Sequence, residues 1–69
     1  MRTIQVESVS IDGTIGQGRG LDVETGQRVV FGGDWRPMQA LGEAVDDGEE
    51  PLVEIEEWQV LRTGPGGGT

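Results

Sequence analysis

Within the stretch Val29-Val30-Phe31-Gly32-Gly33-Asp34-Trp35-Arg36-Pro37 the hydrophobic period of the chain changes from two to three-and-four. Upstream, apolar residues alternate as they do in strands. Downstream, Trp35, Met38, Leu41 and Val45 recur at helical spacing with Ala44 beside them, which predicts one amphipathic helix whose stripe faces a core. Asp34 is placed to cap it, and Pro37 sits near the helix start, where a missing N–H costs little. Gly32-Gly33 is expected to end the preceding strand. Asp46-Asp47-Gly48 is expected to end the helix, with its acidic residues opposing the helix dipole and fraying the last turn.

The strands on either side carry phase slips. Ile4 and Val6 share one parity, whereas Val9 and Ile11 share the other, so burying all four requires an extra residue near Glu7-Ser8. Val53 and Ile55 slip against Trp58 and Val60 in the same way at Glu56-Glu57. Asp12-Gly13 between two β-runs predicts a tight hairpin of type I′, and Glu24-Thr25-Gly26-Gln27 a second turn. The strand between these turns has glycine at positions 16, 18 and 20. One of its faces is therefore bare backbone, on which a large ring can lie, while Gln17 and Arg19 project from the other. The expected fold is mainly β, in the order β-β-β-α-β: a small OB-like or SH3-like antiparallel barrel with bent first and last strands and one short helix between strands 3 and 4. It occupies residues 1–63, and residues 64–69 read as a flexible Gly-rich tail.

Composition narrows the chemistry. With 69 residues the chain is a single small domain, and a domain of this size buries only about 60% of its unfolded surface, which makes a homodimer attractive on stability grounds. There is no histidine and no cysteine, so the usual zinc ligands, thiol nucleophiles and proton shuttles are missing. No catalytic residue, metal site or cofactor is assigned. Asp46, Asp47, Glu49 and Glu50 form an acidic run without the spacing of a calcium loop, and read as a solvated turn. The net charge of −8, from thirteen carboxylates against five arginines, disfavours strong non-specific binding to nucleic acid or to an anionic membrane. No apolar run reaches the ~20 residues that span a bilayer, and the first residues lack the apolar core of a signal peptide, so a cytoplasmic location is expected.

The order of elements is similar to that of an oligonucleotide-binding barrel. Gly16-Gln17-Gly18-Arg19-Gly20 followed by Val29-Val30-Phe31 resembles the cold-shock domain, which carries Gly-aromatic-Gly-aromatic and apolar-aromatic-apolar-His runs on its second and third strands. The resemblance implies a closed barrel and single-stranded nucleic-acid binding on that face. At the positions where the family stacks bases, however, this chain has Gln17, Arg19, Val30 and Gly32. A second resemblance, to ubiquitin-like modifiers, rests on Val60-Leu61-Arg62 and Gly66-Gly67-Gly68 and implies conjugation through the tail.

The candidate partner-binding residues are Gln17 and Arg19 on the glycine-rich strand, and Trp35 and Arg36 at the helix start, because arginine and tryptophan are enriched at binding hot spots. The leading reading is a non-enzymatic protein-interaction module. Its acidic surface suits a basic protein partner or mimics nucleic acid. The alternative is a single-stranded nucleic-acid binder that uses Gln17, Arg19 and Val30, and the third reading is a modifier.

Overall fold

The structure, a computed structural model, describes residues 1–64. Of the tail expected at 64–69, Gly64 instead ends the last strand, paired with Arg28, and residues 65–69, the Gly66-Gly68 ending included, lie outside the described residues. Five strands and one helix follow in the order β1 (Arg2–Asp12), β2 (Ile15–Asp22), β3 (Arg28–Asp34), α1 (Trp35–Asp46), β4 (Leu52–Ile55) and β5 (Val60–Gly64). A single 3₁₀ turn, η1 (Glu57–Gln59), separates the last two strands. All pairings are antiparallel, and the sheet order is β4-β1-β2-β3-β5.

The first phase slip is resolved as expected. The register of β1 on β2 shifts between Val6 and Ser8, leaving Glu7 as the extra residue. This keeps Ile4 and Val6 on the same inner face as Val9, which lies half-buried beside the core, whereas Ile11, expected to be buried with them, is 43% exposed. The hairpin falls at Asp12-Gly13, but its loop is Gly13-Thr14, because Asp12 pairs with Ile15. Only Gly13 has positive φ (66°), which rules out the expected type I′ turn, since that turn needs two such residues.

Three expectations fail in physical detail. Gly32-Gly33 does not break the sheet: both residues continue β3, paired with Gln17 and Gly16. A complete ladder on β2 overrides the weak strand propensity of glycine. Nor is the final run one bent strand. Its slip is absorbed by η1, where the Gln59 side chain reaches back to the backbone N–H of Glu56 (3.0 Å). The element order is therefore β-β-β-α-β-β. Finally, the helix does not end frayed. The amides of Asp47 and Gly48 donate to the carbonyls of Glu43 and Val45, with Gly48 at φ 85°.

Even positions of β2 face inward, and each glycine there meets something. A Cβ at Gly18 would lie 2.5 Å from the Cζ of Phe31, and one at Gly16 would overlap the Met38 side chain on α1. The glycines are thus the floor on which the ring and the helix rest. Around them close Ile4, Val6, Val29, Phe31, Met38 and Ile55, with Leu41 and Val45 of the helix half-buried at the margin. Asp22 continues the inward row and is 2% exposed. Its carboxylate accepts from the amides of Glu24 (2.9 Å) and Thr25 (3.2 Å), and pairs with Arg2 (3.4 Å). Burial acts to raise the Asp22 carboxyl, but those two amides and the guanidinium outweigh it and hold it below the ordinary value.

β4 and β5 stand at opposite edges of the sheet, although residues 56–59 alone join them. Four strand spacings in a flat sheet amount to roughly 19 Å. A linker that includes a 3₁₀ turn, rising about 2 Å per residue, falls well short of that. The sheet must therefore curl around its inner face. It stays open, because β4 and β5 pair with β1 and β3 and not with each other. No helix among the described residues is long and apolar enough to cross a membrane.

Candidate functional site

The outward face of the sheet can be read row by row from the register. Ser8, Arg19, Val30 and Arg62 form one row across β1, β2, β3 and β5. On one side of it lies the row that contains Leu21 and Arg28, and on the other Ser10, Gln17 and Gly32. Three of the five arginines of an acidic chain are thereby gathered on one face. They line a concavity of about 460 Å³ together with Val30, and Glu7 is the one carboxylate in it. Glu7 is paired with Arg28 (2.8 Å). Among the described residues, Arg19 and Arg62 have no ion-pair partner.

Next to this groove, still alongside β3, the surface becomes apolar. Ile15, Trp58 and Leu61 are 66%, 78% and 60% exposed, and surround the bare backbone of Gly32 and Gly33 in a second hollow of about 460 Å³. Leu61 is the bulged residue of β5, lying between Val60, which pairs with Phe31, and Arg62, which pairs with Val30. The bulge turns Leu61 over Gly32, where a Cβ would come within 3.3 Å of its Cδ1. Trp58 rides on η1, and Gln59 ties that turn to β3 by donating to the carbonyl of Gly32 (3.2 Å).

The four residues singled out from the sequence fall into two places. Gln17 and Arg19 lie on the outward face just described. Trp35 is half-buried on the helix side, its Cα near the inner side of Gly16, and its amide donates to the carbonyl of Thr14 (3.2 Å). Arg36 is exposed but engaged with Asp34, whose carboxylate accepts from the Arg36 amide (2.9 Å) and side chain (2.9 Å). The Arg36 side chain and amide hold the Asp34 carboxyl at about 2. Arg2 is likewise occupied, with Asp22 and Glu57. The Arg2 hydrogen bond lowers the Glu57 carboxyl.

Sequence reasoning did not single out Arg28, Arg62 and Trp58. Cross-strand register alone brings the arginines together, and nothing local marks it. For Trp58 a signal existed: Glu56 and Gln59 at the spacing of a capping box announce a turn rather than a continuing strand. No family model, curated protein or solved structure matches this chain.

Proposed function

We propose that the domain is a non-enzymatic binding module that holds single-stranded nucleic acid along the outward face of β2, β3 and β5, on an open version of a small OB-like barrel. The observation that carries this reading is the convergence of Arg19, Arg28 and Arg62 on one groove in a chain of net charge −8. A basic partner would be repelled there, whereas a phosphate backbone is attracted. The remaining carboxylates act at longer range. At 0.1 M salt the screening length is about 10 Å, and the molecule measures 32 × 27 × 18 Å, so repulsion from carboxylates farther than that from the groove is damped more than attraction at direct contact. A duplex is the poorer ligand, because its bases are stacked away from the apolar end of the face.

Tryptophan fluorescence titration with oligothymidylate at low and moderate salt tests this reading. Trp58 and Trp35 are the only strong emitters, since there is no tyrosine. Saturable quenching is expected. With Arg28 paired to Glu7 and two phosphates neutralised by Arg19 and Arg62, log K should fall against log salt with a slope of about −1.4. A flat titration at low salt would overturn the proposal.

A second reading, docking of a protein partner, draws on the exposure of Ile15, Trp58 and Leu61. It takes in self-association, which sedimentation velocity over a concentration range would reveal, and contact with a basic protein near Trp35 and Arg36.

A further inference from the structure

We infer that Trp58, together with Leu61 and the bare backbone of Gly32 and Gly33, forms a stacking subsite for one unpaired nucleobase. The subsite depends on the binding reading given above and adds its specific contact. Three observations support a base there. The first is the shape and chemistry of the hollow: Ile15, Trp58 and Leu61 surround a glycine floor, with Asp34 at the rim. A mainly apolar recess without a cationic side chain takes the face of a heteroaromatic ring, and the Asp34 carboxylate repels a phosphate there.

The second is preorganisation. Trp58 is 78% exposed, yet its turn is anchored on both sides by one side chain: the Gln59 amide donates to the Gly32 carbonyl, and its oxygen accepts from the Glu56 amide. With the turn's backbone fixed, only the side-chain torsions of Trp58 have to be ordered when a base arrives. The third is distance. Gly32 lies two residues beyond Val30, whose cross-strand partners are Arg19 and Arg62. Two strand residues span about 7 Å, so a phosphate seated at Arg62 leaves its neighbouring base within reach of Trp58. The rings that Gln17, Arg19, Val30 and Gly32 do not provide on the strands are thus supplied from η1, at the edge of the same face.

Fluorescence anisotropy of labelled strands tests the subsite with four proteins (parent, W58A, W58F and R62A) and two ligands, oligothymidylate and an abasic strand with the same phosphates. W58A should bind oligothymidylate about 5- to 100-fold more weakly with an unchanged salt slope, and W58F should retain most of the affinity. R62A should flatten the salt slope by about 0.7. On the abasic strand, parent and W58A should be equal. If W58A binds oligothymidylate as the parent does, or loses as much on the abasic strand, the subsite is overturned while the arginine groove stands. If the parent binds neither strand, both fall. Circular dichroism confirms that each variant is folded.

Discussion

Replacing Gly18 with alanine isolates the contact on which the core is built. The added Cβ would lie 2.5, 2.8 and 3.0 Å from three atoms of the Phe31 ring, where ordinary carbon contacts are about 3.5–4.0 Å. Phe31 is fully buried among Ile4, Val6, Val29, Met38 and Ile55, so the ring cannot swing out to solvent and must push on its neighbours. Overpacking of this kind costs about 1–3 kcal/mol. The backbone offers partial relief. Gly18 is not among the glycines with positive φ, so alanine is conformationally allowed and reduces the entropy of the unfolded chain by about 0.4–1 kcal/mol. The net expectation is a loss of about 1–2 kcal/mol, or roughly 5–15 °C in Tm for a domain this small. Urea unfolding followed by far-UV circular dichroism should show a lower midpoint with an unchanged slope. Gly42→Ala is the opposite control. Its nearest neighbour, the Val9 Cβ, lies at an ordinary 3.5 Å, so helix propensity should stabilise the protein by about 0.5–1 kcal/mol. Adding F31L to G18A should make the pair less damaging than the sum of its parts. A G18A protein as stable as the parent would refute the view that the ring rests on bare backbone.

Other expectations follow from the same contacts. Asp22→Ala removes the acceptor for the Glu24 and Thr25 amides and the partner of Arg2, and should cost about 2–3 kcal/mol by urea unfolding; Asp22→Asn, which keeps an acceptor, should cost less. Asp22, Asp34 and Glu57 all have folded pKa values below their ordinary ones. Their stabilisation is therefore complete above the unfolded values near 4 and lost as pH falls through the folded values, down to about 2 for Asp34. A pH series of melts should accordingly show stability declining between about pH 4 and 2, chiefly through buried Asp22, and nearly flat from about pH 5 to 8, where no histidine titrates. Trp58→Ala should leave stability within about 0.5 kcal/mol of the parent, because the ring is exposed, whereas Trp35→Ala should lower it measurably.

Local chemistry made much of the fold legible. The bulge at Glu7, the hairpin at Gly13, the Asp34 cap and the inward glycines of β2 each follow from a short-range rule acting on a few residues. The misses share a different cause. Gly32 and Gly33 stay in β3 because β2 offers them a ladder, and a ladder is a property of pairing and not of the glycines. Trp58 is exposed because η1 turns it outward, although hydrophobicity alone places a tryptophan inside. The arginine groove exists only once Arg19, Val30 and Arg62 are in register, across a sequence separation that no periodicity spans.

The most direct test of the binding face is amide chemical-shift mapping of the ¹⁵N-labelled domain during titration with oligothymidylate. Saturable shifts are expected in β2 (Ile15–Asp22), β3 (Arg28–Asp34), η1 (Glu57–Gln59) and β5 (Val60–Gly64), with the outward face of α1 (Trp35–Asp46) silent. Shifts confined to the helix, or none at low salt, would contradict it.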